Sequence, residues 1–178
     1  MLDGKVVVGE NEAKDGTGGT NAVLTIPAGT KIIGKQTPTS GVTSYLVVTR
    51  GSRLEATGTA TQPIVFTSEQ DHLRGRTSPV ALNETETGEW GGIVVNGLAT
   101  INKGTDCELA ANVCEREGEG DSGLYGGDDD TDNSGTFSYM QVRYAGYAFT
   151  ADNELNGIAF QGVGSGTTIQ YVHVHNGA

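Results

Sequence analysis

Basic residues are scarce in this chain. Lys and Arg number 11 against 22 Asp and Glu, a formal net charge of −11. Proteins that hold nucleic acid need a basic footprint to neutralise phosphates, so no nucleic-acid partner is expected. Long apolar runs are missing too: nothing approaches the roughly 18 residues that span a bilayer, so no membrane span is expected. The opening Met1-Leu-Asp-Gly-Lys5 lacks the apolar core of an export signal. Segments with a sustained 3.6-residue period are also absent, and the best short helical candidate is 108–117. Only 4 prolines and 2 cysteines occur, which leaves little room for a Pro-rich linker or a dense disulfide framework.

Glycine is abundant, with 28 residues, and it accompanies frequent Thr, Val, Ile and Asn. That mixture suits many short strands joined by tight turns. At 178 residues the chain fits a single domain, 1–178, able to bury a core. Apolar strand, turn and strand recur in Leu24-Thr-Ile-Pro-Ala-Gly-Thr-Lys-Ile32, Leu46-Val-Val-Thr-Arg-Gly-Ser-Arg-Leu54 and Ile93-Val-Val-Asn-Gly-Leu-Ala-Thr-Ile101. A fourth copy begins at Ile158, before the glycine-rich turn 162–166. A recurring unit of this size is the signature of a solenoid.

Aligning Leu24 with Leu46 gives a step of 22 residues, the length of one coil of a three-sided helix. The later steps, to Ile93 and to Ile158, are longer and hold inserts at about 69–89 and 102–134. A third strand series reads Ile64-Val-Phe-Thr67, Tyr139-Met-Gln-Val-Arg-Tyr144 and Ile169-Gln-Tyr-Val-His-Val174. Together these predict an all-β, right-handed parallel β-helix of about four coils. The alternative is an antiparallel sandwich, with Asn96-Gly97 as a hairpin turn. In the last strand, simple alternation places Ile169, Tyr171, His173 and His175 on one face, and Thr168, Gln170, Val172 and Val174 on the other. The pattern stops in mid-rung at Asn176-Gly-Ala178. A solenoid end normally carries a cap, so we expect either a longer helix or an end covered by another molecule. Ile169, Tyr171, Val172 and Val174 form the expected assembly edge, and Lys5-Val-Val-Val8 a complementary strand for head-to-tail association with further copies.

Trp90-Gly-Gly-Ile-Val-Val-Asn-Gly97, the glycine- and aspartate-rich run 118–135, Tyr139-Met-Gln-Val-Arg-Tyr-Ala-Gly146 and Asn153-Glu-Leu-Asn-Gly-Ile158 carry a family likeness. From Leu24 onward the chain resembles a largely uncharacterised family of large secreted or lipid-anchored bacterial proteins from marine proteobacteria and Bacteroidetes. Its members are taken to be right-handed parallel β-helices. The resemblance implies a secreted, extracellular or cell-surface location. It implies no reaction.

Three constellations bear on chemistry. Asp130-x-Asp132-x-Ser134-Gly135 has the spacing of the first half of an EF-hand loop, where alternate carboxylates converge on one hard cation. The twelfth position is Gln141 rather than Glu, and no flanking helices are expected. What remains is a loop site for calcium built from Asp128, Asp130, Asp132 and Ser134, with Asp121 or Glu119 as candidates to complete it, against the reading of a solvated acidic turn. Cys107 and Cys114 lie inside the longest insert, and in an exported protein a local disulfide is the expected state. His173 and His175, two residues apart, suit either a stacked ladder or a metal pair, and Asn96, Asn156 and Asn176 suit an Asn ladder at coil corners.

No catalytic constellation emerges. Asp152 and Glu154 with Arg143 are the nearest approach to an acid and base set, and Trp90, Tyr125, Tyr144, Tyr147 and Phe149 the nearest to a sugar-stacking strip. The expected function is a non-enzymatic extracellular structural or adhesive scaffold, self-assembling end to end. The competing class is a carbohydrate-active β-helix that binds or cleaves an acidic polysaccharide.

Overall fold

A computed structural model describes residues 1–36, 43–77, 86–102 and 113–178. The first coil comprises β1 (Lys5–Val8), β2 (Val23–Ile26) and β3 (Lys31–Gly34). The second comprises β4 (Tyr45–Val48), β5 (Arg53–Thr57) and β6 (Ile64–Ser68), followed by α1 (Glu69–Thr77). The third runs from β7 (Gly92–Asn96), past the ribbon β8 (Arg116–Glu117) and β9 (Leu124–Tyr125), to β10 (Gly135–Arg143). The hairpin β11 (Tyr147–Thr150) and β12 (Asn153–Leu155) leads to β13 (Ile158–Gln161) and β14 (Thr168–His175), which make the fourth.

Like strands stack in parallel. One side of the helix is the sheet β1-β4-β7-β13. The second is β2, β5, the first half of β10 and the first half of β14; the third is β3, β6 and the second halves of β10 and β14. The chain is therefore an all-β parallel β-helix of four coils. Asn96 ends β7 and opens no hairpin.

Inward side chains stack coil on coil. Val8, Val48, Val95 and Phe160 form one ladder, and Ile26, Ala56, Phe137 and Ile169 a second. Ile32, Phe66, Val142 and Val174 form a third. Fully burying side chains of this class contributes about 1.5–3 kcal/mol each, which makes these ladders the main source of stability.

Register corrects the unit alignment expected above. Leu46 stacks on Val6, whereas Leu24 stacks on Leu54. The 22-residue step thus joins two different sides of the helix. The error arises because an apolar strand before a glycine turn looks alike on every side; only cross-coil pairing tells the sides apart.

Alternation along β14 is also overturned. Tyr171 sits at φ 53 and Tyr139, one coil before it, at φ 49. A left-handed residue swings the chain round the corner and resets the pleat. Ile169, Val172 and Val174 therefore share the inward face, through pairing with Phe137, Met140 and Val142, while His173 and His175 stack on Gln141 and Arg143. The two corner tyrosines stack with ring centroids 4.4 Å apart, an arrangement worth about 0.5–1.5 kcal/mol beyond area burial, which offsets much of the cost of the left-handed backbone.

Part of the expected 108–117 helix lies outside the described residues, and its end, Arg116–Glu117, is the strand β8 paired with β9. The helix that does form, α1, opens with Glu69 and Asp71 in its first turn, where carboxylates complement the helix dipole. The outer face of the first sheet is covered as well: Tyr45, Val47, Val94 and Leu155 cluster there with Phe149 packed against them. Burial on both faces explains why β4 and β7 read as unbroken apolar runs.

Candidate binding groove

The corner between the first and second sides differs from coil to coil. In the second coil it is the short turn Thr49-Arg-Gly-Ser52, whereas the first coil carries residues 9–22 there and the third carries 97–134. Two large excursions therefore stand on either side of one tight turn, leaving a groove with a cavity of about 760 Å³ between them. Insertions stacked on a single face of a solenoid are where such proteins form binding surfaces.

The turn is fastened to both neighbours. Thr49 Oγ1 donates to the Val8 carbonyl at 2.8 Å, and Ser52 Oγ accepts the Ala22 N–H at 3.2 Å. The Arg50 N–H donates to Asn11 Oδ1 at 3.2 Å. Gly51 has φ 78, a backbone conformation that favours glycine.

Arg50 is 1 % exposed. Its Nη1 donates to Glu115 Oε2 at 3.1 Å and to the Gly126 carbonyl at 2.9 Å, which clamps the third-coil excursion to the turn. Its Nε–H is buried without an acceptor. Glu12, also buried, accepts from Asn21 Nδ2 at 2.6 Å. On the rim, the Thr17 hydroxyl and then its N–H hold the Asp15 carboxyl below the usual carboxylate range. Carboxylates outnumber cations in this lining: Glu12, Asp15, Glu115 and Asp128 against Lys14 and Arg50.

Comparison with known proteins bears on the helix as a whole. The family model described as a pectate-lyase like beta helix domain matches residues 17–178. The chain belongs to this family. No curated protein and no solved structure matches it.

The pectate-lyase-like helix disperses most of the residues that the sequence had grouped. Asp128 lines the groove. Asp130 Oδ1 accepts the Thr100 N–H at 2.9 Å, which holds that carboxyl below its usual range, and Asp132 Oδ2 accepts from the Ser134 hydroxyl at 3.0 Å. Among the described residues, no three His, Cys, Asp or Glu side chains gather as a metal site. Asp121 bonds Lys5 at 3.2 Å, away from the acidic run. Cys114 is buried, and Cys107 lies outside the described residues.

His173 and His175 have ring centroids 5.9 Å apart, and His175 lies edge-on to Tyr144. Arg143 donates to Gln141 and lies 3.8 Å from Asp71, on the third side. Asp152 and Glu154 belong instead to the β11–β12 hairpin region. Trp90 is a core residue whose Nε1 donates to the Arg143 carbonyl at 2.8 Å, and Tyr144 is fully buried. Tyr147 and Phe149 pair on the hairpin, so the five aromatics make no common strip. Asn96 stacks on Gln161 and donates to the Ser122 carbonyl at 2.8 Å, so it belongs to no Asn ladder.

Sequence reasoning missed Arg50, Glu12 and Glu115. A charged residue beside a turn glycine reads as solvated, and only the excursions of neighbouring coils bury it. The one available signal was the coincidence of two long polar loops at the same coil corner, which a correct unit alignment would have exposed.

Proposed function

We propose that this pectate-lyase-like β-helix domain is a non-enzymatic extracellular scaffold, secreted or displayed at a cell surface, with a structural or adhesive role. What carries this reading is the use made of the polar side chains buried outside the stack. Tyr45 donates to the Gly120 carbonyl at 2.7 Å, Arg50 to Glu115 and Gly126, and Asn96 to Ser122. Glu89 takes the Ser68 hydroxyl and a bidentate approach from Arg74. Burial opposes the charge on Arg74, but the hydrogen bonds and charges of Glu89 and Glu86 outweigh it and raise its pKa. Groups of the kind that do acid–base chemistry elsewhere are here committed to fastening excursions to coils.

Association of copies head to tail is part of the proposal. Ile169 and Val174 face inward in β14 yet are 45 % and 44 % exposed, while Phe137 and Val142, one coil earlier, are fully buried. Tyr171 is 65 % exposed at the corner. A second copy laying its first coil, with half-buried Val6, Leu24 and Ile32, on this edge would pair the free backbone groups and bury both apolar surfaces.

The second reading, a domain that binds or cleaves an acidic polysaccharide, draws support from the family match. Two of its cations are already engaged, Arg74 by Glu86 and Glu89 and Arg143 by Asp71. Incubation with a panel of acidic and neutral polysaccharides separates the two readings. The scaffold releases no unsaturated or reducing ends; their appearance overturns it.

A further inference from the structure

Charge does not guard the open edge of the fourth coil, since neither β13 nor β14 contains Asp, Glu, Lys or Arg. Proteins restrain an exposed strand edge with charged side chains, with proline or with a covering segment. The opposite edge, on the first coil, has such a cover. Leu2 bridges Gly34 in parallel: its N–H donates to the Ile33 carbonyl at 2.7 Å, and its carbonyl accepts the Lys35 N–H at 3.1 Å. The other side of β3 is taken by β6, so Leu2 lies on the open side, with its side chain packed against the core. The segment Met1–Gly4 is fastened at further points. Ser44 Oγ donates to the Leu2 carbonyl at 3.0 Å and accepts the Gly4 N–H at 3.1 Å, and Lys35 Nζ lies 3.2 Å from Asp3 Oδ2.

Register shows what this cover excludes. Gly34 pairs with Ser68. Phe66 pairs with Val142, which puts Ser68 in line with Tyr144. Arg143 pairs with His175, and the Tyr144 N–H donates to the His175 carbonyl at 2.9 Å, which puts Tyr144 in line with Asn176. Gly34, Ser68, Tyr144 and Asn176 are thus successive rungs of one ladder. In a head-to-tail stack, Asn176 of one copy would lie against Gly34 of the next. Leu2 of that next copy already holds the place. The cover reaches the third side only, because β1 and β2 remain edge strands of their sheets.

We propose that Met1–Gly4 is a self-inhibitory strap, which competes with residues 174–176 of a second copy for the edge of β3 and so holds head-to-tail association in check. The inference rests on the head-to-tail reading given above and adds how that association is regulated. Two copies engage through β13 on β1 and the first half of β14 on β2, and the third side closes only when the strap of the incoming copy peels away. That step exchanges two backbone hydrogen bonds within a chain for similar ones between chains, so the strap weakens association without forbidding it.

The test is sedimentation of three proteins over a concentration series: the full chain, the chain lacking residues 2–4, and Leu2→Pro. The proline removes the N–H that Ile33 accepts and the apolar anchor, and leaves β3 intact. Both variants are expected to associate with a dissociation constant about ten-fold lower than wild type, with unchanged circular dichroism. Adding Val172→Lys and Val174→Lys to either is expected to abolish the gain. A readout on unaltered protein covers the case in which a variant fails to fold: in associated wild type, the Leu2 and Asp3 amides are expected to give the sharp signals of a mobile segment. Folded variants that associate no more tightly than wild type overturn the strap and leave the head-to-tail reading standing, as does a Leu2 amide still held in the assembled chain. Association that ignores the two lysines runs through another surface and overturns the strap. No association by any of the three proteins overturns the strap and the head-to-tail reading together.

Discussion

Replacing Tyr45 by Phe tests how the outside of the helix is held. Tyr45 is 2 % exposed, and its hydroxyl donates to the Gly120 carbonyl at 2.7 Å. Burial, and then the negative charge of Asp121, push its pKa up to about 12 from the ordinary 10.0. The variant loses one buried hydrogen bond and leaves the Gly120 carbonyl short of a donor, a cost of about 1–2 kcal/mol near neutral pH. The hydroxyl adds a pH dependence of known sign. With the folded pKa above the unfolded one, the stabilisation is whole below pH 10 and is lost as pH rises towards about 12. Two pH units between these values set a ceiling of ~3 kcal/mol on that loss. Urea unfolding of both proteins across an alkaline series isolates the effect, since lysines titrate alike in each. Wild type is expected to be the more stable at about pH 8, and the gap to close and then reverse towards about pH 12. Phenolate absorbance provides a direct check, because one more tyrosine should titrate late in folded wild type than in the variant. A stability gap that stays constant with pH, together with identical phenolate titrations, would refute the reasoning.

Other perturbations address other parts of the molecule. Gly135 has φ 116, and a Cβ there would come 2.2 Å from the Leu54 carbonyl oxygen; Gly135→Ala is expected to cost more than about 1 kcal/mol, read as a fall in the urea midpoint, and an unchanged midpoint would show that β5 and β10 give way freely. Among the described residues Asp128, Asp130 and Asp132 do not gather at one point, so the acidic run would have to regroup before it could close on calcium. A chelator is therefore expected to leave the melting curve unchanged, and a lowered Tm would show the run regrouping round the ion. Val172→Lys with Val174→Lys places charge on the exposed edge of β14 and is expected to abolish concentration-dependent sedimentation while the inner coils stay folded. A sharp monomer for both proteins at high concentration ends the stacking proposal.

Fold class was legible in the residues because it depends on local pattern. Short β-branched runs bounded by glycine, recurring without helical period, admit few architectures, and the series 64–67, 139–144 and 169–174 grouped strands that do pair coil on coil. The phase of the repeat was not legible. Val6 and Leu24 are equally apolar and equally near a turn, and which of them lies beneath Leu46 is decided by hydrogen bonds across 40 residues of chain. The facing of β14 failed for a related reason: a single left-handed tyrosine resets the pleat, and a bulky aromatic gives no sign that its backbone is left-handed. It is held there by stacking on Tyr139, a contact between coils. The groove lay furthest from view. Nothing local to Thr49-Arg-Gly-Ser52 distinguishes Arg50 from a solvated turn residue, and its burial comes from excursions that leave the helix far away in sequence and meet only when the coils are stacked. Composition and periodicity are properties of a segment and can be read from it. Burial of charge is a property of what other segments bring, and here only the stacking of coils decided it.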